Sequence, residues 1–265
     1  MSTHVVSKHV VPKHVTRTYD RAAVVIPAHN EQARLPACLR AVLTAALCAP
    51  IPVTIVVVLD ATDDESAQLA GRYGPDVHFV SVDVGKVGAA RAAGFRYARS
   101  LSQDYGECWY ATTDADSRVD PDWLVHQLRL GADMVLGVVR VDDWSHHCAD
   151  FADRFVRTYQ AQTYHADESA DGRHPHVHGA NMAFSARAYW RVGGFRSMSC
   201  GEDVDLAARF TAAGYCIHRD AELSVATSAR TQARAPHGFA YRLSQMGLSQ
   251  MGLSQLAGSV EEGCA

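Results

Sequence analysis

The run VTIVVVLD, Val53 to Asp60, leaves this chain few folds to adopt. It is a β-branched strand of the kind buried on both faces of a parallel sheet, so helices must cover both sides. The neighbouring segments meet that demand. AAVVIP, Ala22 to Pro27, is a short apolar run, followed by a helical pattern at Leu35, Leu39, Val42, Leu43 and Ala46. HFVSV (His78–Val82) and ECWYATT (Glu107–Thr113) read as further strands, separated by an alanine-rich helix from about Val87 to Ser100. Thr62-x-x-Glu65 offers a capping box for another helix, through about Tyr73. Repeated β-α units predict an α/β fold: a single domain with an open, mainly parallel sheet flanked by helices. Ligands of such sheets sit beyond the carboxyl ends of the strands, where Asp60 and Asp114 fall.

YATTDADSRVDPDWL, Tyr110 to Leu124, carries the most chemistry. Asp114 and Asp116 stand two residues apart where an apolar run ends, and in an extended chain their side chains leave the same face. Two carboxylates so placed suit Mg²⁺ or Mn²⁺, which complete their shell with water and substrate phosphate. Asp120 can cap a helix whose first residue is Pro121.

PAHNE, from Pro27, opens a helix after a buried strand, so its backbone N–H groups can meet a nucleotide, with Asn30 and Glu31 as polar handles; a plain helix start is the alternative. In DATDDES, Asp63 and Asp64 read as caps and Asp60 as a group that accepts from a base or ribose. GKVGAARAAG, Gly85 to Gly94, fits neither GxGxxG nor GxxxxGK[ST]; there Arg91 could clamp phosphate or base, or make a surface ion pair. Glu202 and Asp203 start an amphipathic helix that Gly214 should end. His174, His176 and His178 alternate, so all three could share one face, as a metal cluster, an acceptor loop or a plain surface loop.

The order of these elements resembles the family-2 glycosyltransferases of the GT-A fold, from about Ala22 to Thr227. The resemblance rests on PAHNE, the strand ending in Asp60, the DxD of Asp114-Ala115-Asp116, and the GED of Gly201-Glu202-Asp203 after a GGF turn. It implies that Pro27, Ala28, Asn30, Glu31, Asp60, Arg91, Asp114 and Ala115 line a nucleotide-sugar pocket, with Asp60 towards the base. It further implies that Asp116 holds the divalent metal, with His237 as a further ligand, and that Asp203, beside Glu202, is the catalytic base. Gly179, Ala180 and Asn181 would border the sugar and acceptor. The implied reaction moves one sugar from a nucleoside-diphosphate sugar, UDP by default, to a hydroxyl acceptor with inversion. No QxxRW-like motif follows the GED, which points to a non-processive enzyme.

A net charge of −4 argues against a nucleic-acid partner. Seven widely spread cysteines without a C-x-x-C pair suggest a reduced, cytoplasmic setting, and neither a signal peptide nor a transmembrane segment is evident. Pentapeptide repeats begin at His4 and Leu243; residues 1–20 read as a tail, 21–230 as the transferase domain and 231–265 as an extension able to touch a membrane surface peripherally. A sugar-1-phosphate nucleotidyltransferase would share the sheet, but PAHNE is not its usual Gly-rich loop. A non-catalytic nucleotide- or sugar-binding module is the other alternative.

Overall fold

A computed structural model describes residues 18–101, 107–164 and 174–229. Arg21–Ala28 (β1), Val53–Asp60 (β2), Val77–Val82 (β3) and Cys108–Thr112 (β4) run parallel, with β1 between β2 and β4. Met134–Val141 (β5), Met182–Ser185 (β6) and Ile217–Thr227 (β7) extend the sheet to seven strands in the order β3-β2-β1-β4-β6-β5-β7. Only β6 runs against its neighbours, pairing antiparallel with both β4 and β5.

The strands do what their residues require. In β2, Ile55, Val57 and Leu59 enter the core on one face while Val56 and Val58 enter the core on the other, and β1 divides Val24 and Ile26 from Ala23 and Val25 in the same way. Full burial of one such side chain is worth about 1.5–3 kcal/mol. Leu35–Cys48 (α1), with proline in its first turn, covers the first face. Val87–Ser100 (α2) covers the second and lies unusually close. A Cβ on Gly94 would come within 2.4 Å of Val25 Cγ1 and 2.8 Å of Val58 Cγ2, so this position has room only for hydrogen.

Trp123–Arg129 (α3) joins the α1 side. Ala186–Arg191 (α5) and Glu202–Ala212 (α6) join α2, around a cluster of Phe95, Tyr110, Phe184 and Tyr189. Ala149–Tyr164 (α4) stands apart, with Phe151 and Phe155 in a small separate cluster that also takes in Trp144 and Tyr159. Among the described residues no helix is long and apolar enough to cross a membrane. Of the expected tails, residues 1–17 and 231–265 lie outside the described residues, as does His237.

Candidate active site

The loops after β1 and β2 are laced together by their side chains. Asn30 Nδ2 donates to Asp63 Oδ1 at 2.6 Å, and Asn30 Oδ1 accepts from the amides of Asp63 (3.0 Å) and Asp64 (3.3 Å). The Gln32 amide donates to Asp64 Oδ2 at 2.8 Å, and its side chain exchanges two bonds with Glu65. Asn30 sits at φ +50°, a region asparagine tolerates better than most residues. The helix expected through Tyr73 is only a 3-10 turn, Glu65–Leu69, capped by Asp64 accepting from the Ser66 amide. The Thr62–Glu65 box is replaced because Gln32 engages Glu65, while Thr62 Oγ1 donates to the Ala28 carbonyl at 3.4 Å.

Asp60 ends β2 almost wholly buried, and its carboxylate is well occupied. Oδ1 accepts from the amides of Val84 (2.8 Å) and Gly85 (3.0 Å), and Oδ2 from that of Lys86 (3.2 Å), the residue just before α2. It thereby fixes the loop that admits α2. A cavity of about 430 Å³ opens beside it, lined by Leu59, Thr62, Ala67, Ser81 and Asp83. Pro27 and Ala28 are buried at the end of β1, and Glu31 is buried with its carbonyl starting α1.

After β4 the chain turns rather than running on extended. The Ser117 amide donates to the Asp114 carbonyl at 3.0 Å, so Asp114 to Ser117 form a turn with Ala115 buried beneath it. The two aspartates therefore share a tight bend and not a strand face, and both remain half-buried. Below them Cys38 Sγ donates to the Asp114 carbonyl at 3.3 Å. Burial pushes the Cys38 thiol up, and the carboxylates of Asp116, Asp114 and Glu31 push it further. Asp120 does not cap α3: that helix starts at Trp123, and the Asp120 carboxylate instead holds Arg140 bidentately at 2.9 and 3.1 Å.

The DxD turn and the GED helix meet through one side chain. Arg91 of α2 donates from Nη2 to Asp114 Oδ1 at 2.7 Å and from Nη1 to Glu202 Oε1 at 2.5 Å. Its side chain is 3% exposed, so neither alternative of a surface ion pair nor an open phosphate clamp describes it. Burial works against its charge, but Asp114, Glu202 and Asp203 outweigh this and hold the guanidinium above the ordinary arginine range. Gly201, at φ +73°, turns the chain into α6. Asp203 Oδ2 then accepts from the Gly179 amide at 3.0 Å.

Gly179 and Ala180 lie buried in a 3-10 turn, Gly179–Asn181. Asn181 is wholly buried beneath them: Oδ1 accepts from Trp123 Nε1 at 2.9 Å, and Nδ2 donates to the carbonyls of Val138 (2.8 Å) and Leu223 (2.7 Å). It forms the floor under the expected sugar or acceptor side. His174, His176 and His178 do share a face, stacked at centroid spacings of 5.7 and 5.6 Å. All three are buried, His176 and His178 against Tyr159, so they are not a surface loop, and their polar partners are the Leu136 carbonyl, Thr163 and Tyr159.

Among the described residues no group of three or more His, Cys, Asp or Glu side chains is placed to hold a metal ion. Asp114 and Asp116 nonetheless fit a hard divalent cation whose remaining ligands are water and phosphate: they are oxygen donors, half-buried on one turn, in a field negative enough to be felt at Cys38.

Sequence reading missed the Arg91 to Glu202 bond, which spans 111 positions and leaves no local signal. It also missed the lacing of Asn30 and Gln32 to residues 63–65, for which the juxtaposition of amides and acids after adjacent parallel strands is a usable clue.

A family model described as Glycosyl transferase family 2 matches residues 23–193, which include Asp60, Arg91, Asp114 and Asp116 and stop short of Glu202 and Asp203. No curated protein matches the sequence. Among solved structures, residues 1–349 of S. aureus TarS in complex with UDP-GlcNAc align with a TM-score of 0.61 and 11% identity, covering 84% of this chain and 64% of that one. The mannosyltransferase PcManGT from Pyrobaculum calidifontis, in complex with GDP-Man and Mn²⁺, aligns with a TM-score of 0.56 and 18% identity, covering 85% of this chain and 61% of that one. The chain thus spans about 61–64% of the length of these two structures, and the likeness is one of fold.

Proposed function

The chain belongs to glycosyl transferase family 2, and from that premise we propose that it transfers a single sugar from a nucleoside-diphosphate sugar to a hydroxyl acceptor with inversion. The observation that carries this reading is the gathering of Asp114, Glu202 and Asp203, from separate parts of the chain, around Arg91 and Gly179. The donor site opens where β1, β2 and β4 end. Asn30, Glu31 and Asp60 shape its nucleotide side, with Pro27 and Ala28 as its wall, and Asp114 faces the ribose and diphosphate from the turn that Ala115 supports beneath. UDP is the first nucleotide to test, and the UDP-GlcNAc and GDP-Man bound in the two solved structures supply the first donors.

Asp116, with Asp114, would hold Mn²⁺ or Mg²⁺, and His237 would add a third ligand. When bound, the cation supplies charge to offset that developing on the leaving diphosphate. Asp203 is the base that takes the proton of the incoming hydroxyl, a contribution of about 10²–10⁴-fold. The Gly179 amide orients its Oδ2, leaving the carboxylate further lone pairs for the acceptor. Gly179, Ala180 and the Asn181 floor border the sugar. The catalytic unit runs over 21–230, and the enzyme works in the cytoplasm, with 231–265 free to touch a membrane surface.

Calorimetric titration with UDP, GDP, CMP and dTDP, each with and without Mn²⁺, tests the reading. Binding of one nucleoside diphosphate that requires metal, followed by its release from the matching sugar donor, is the expected result. Binding without any turnover would move the chain to the non-catalytic modules, and pyrophosphate release from a nucleoside triphosphate and a sugar phosphate would make it a nucleotidyltransferase.

A further inference from the structure

Arg91 is the most deeply buried charge in the described chain, and its surroundings decide what it can touch. It exposes 2% of its surface, and its two terminal nitrogens are committed to Asp114 and Glu202. Its flat sides are closed as well: a Cβ on Gly179 would lie 2.5 Å from Nη2, and the Phe195 ring centroid is 5.6 Å from Cζ. Nε is buried and makes no hydrogen bond. A diphosphate could reach this guanidinium only by displacing Gly179, Phe195 or both carboxylates.

The helix that bears Arg91 is anchored at both ends of its working length. Near its start, a Cβ on Gly88 would come within 2.8 Å of Glu202 Cβ and Cγ and 2.6 Å of the Arg196 carbonyl. Six residues later, Gly94 rests against Val25 and Val58 of the sheet. Glycine at both positions lets α2 touch α6 and the parallel strands at once, so the guanidinium stands at a fixed height between the turn that bears Asp114 and the helix that bears Asp203.

We infer that Arg91 is a positioning residue for the proposed transfer: its guanidinium sets the distance between the donor carboxylate Asp114 and the base Asp203, acting through Glu202 and Gly179. This rests on the glycosyltransferase reading and deepens it. The chain of contact is short. Glu202 is joined to Asp203 through the backbone, and Gly179, packed on the guanidinium, donates to Asp203 Oδ2. A lysine ammonium is a point charge without the planar fork and would hold one carboxylate at a time. Small misplacement of a reacting group can lower a rate about 100-fold without touching substrate affinity.

The test compares wild type with Arg91→Lys, Arg91→Gln and Gly88→Ala. Turnover is followed as UDP release from UDP-GlcNAc and GDP release from GDP-mannose, the Kd of each nucleoside diphosphate is measured with Mn²⁺, and amide hydrogen exchange is recorded over 177–182 and 201–206. The expected result is a kcat lowered about 10–100-fold in Arg91→Lys and further in Arg91→Gln, with Kd within about threefold of wild type and faster exchange in those two segments. Gly88→Ala, whose Cβ would press on Glu202 and the Arg196 carbonyl, keeps the guanidinium but forces α2 and α6 apart, and should lower kcat in the same way. Should Arg91→Gln fail to fold, Arg91→Lys and Gly88→Ala carry the comparison. A Kd weakened tenfold or more with kcat retained would make Arg91 a direct diphosphate ligand and overturn the inference, as would wild-type exchange in Arg91→Lys. If the wild-type chain binds no nucleoside diphosphate with Mn²⁺ while the variants still loosen both segments, the transferase reading fails and the strut stands.

Discussion

The two sides of the sheet's carboxyl edge are built on different plans. Beneath the proposed nucleotide, β2, β1 and β4 are parallel and buried on both faces, and the loops after β1, β2 and β3 bind one another: Asn30 to Asp63 and Asp64, Gln32 to Asp64 and Glu65, Asp60 to residues 84–86. Beneath the proposed acceptor, β6 and β5 depend on single side chains that reach across the fold, with Asn181 tying α3 to β5 and β7 and Tyr159 tying α4 to the stacked histidines. The first plan distributes a frame over many short local bonds. The second concentrates it in a few buried polar groups, each costly to lose.

That contrast can be attacked first at its seam. Asp203→Asn should lower turnover by about 10²–10⁴-fold with nucleoside-diphosphate affinity intact, because only the proton acceptor is removed; steady-state turnover beside a calorimetric Kd checks it, and undiminished turnover removes Asp203 as the base. On the acceptor side Asn181→Ala leaves Trp123 Nε1 and two carbonyls unpaired in the core. It should cost about 3 kcal/mol in denaturant unfolding, and a loss under about 1 kcal/mol would show that this side is not concentrated as described.

On the donor side the matching change, Asn30→Gly, keeps the left-handed backbone and deletes the lacing to Asp63 and Asp64. It should cost only about 1 kcal/mol of stability while weakening nucleoside-diphosphate binding by calorimetry, since the remaining bonds of Gln32 and Asp60 share the load. A stability loss equal to that of Asn181→Ala would erase the difference between the two sides.

The smallest effect is in pH. Burial lowers the His174 pKa below its ordinary 6.5, and the Arg219 guanidinium lowers it further. Below 6.5 the unfolded chain takes up a proton that the folded one refuses, so this contribution is fully present above 6.5 and is lost as pH falls towards the lower folded value. Thermal midpoints between pH 7.5 and 5.5 should decline in wild type and decline less in His174→Phe; parallel curves would remove His174 as the source.

The same contrast explains what could be read before any coordinates. β2 and α2 take the bounds their residues predict, Val53–Asp60 and Val87–Ser100, because apolar runs and helix formers act locally. Gly214 does end α6, at φ +75°. The Asp64 cap was legible, because it acts on the next turn of its own chain, whereas the DxD bend and the Arg140 grip on Asp120 were missed, since each depends on a partner brought up by tertiary packing. The acceptor side was least legible: neither the burial of the three histidines nor the floor made by Asn181 leaves a periodic trace.

The thiol beneath Asp114 has a practical corollary. Among the described cysteines Cys48, Cys148 and Cys216 are exposed, whereas Cys38 is buried with its thiol pushed up and Cys108 is buried and pushed up to about 12. Alkylating reagents act on the thiolate, so maleimide dyes or spin labels at neutral pH will react at these exposed sulfurs and at half-buried Cys200, and spare Cys38 beneath the DxD turn. Once Cys200, two residues before Glu202, is replaced, the protein offers attachment points for distance measurements between the α1 end, the α4 entrance and the β7 edge, with Cys38 left unlabelled.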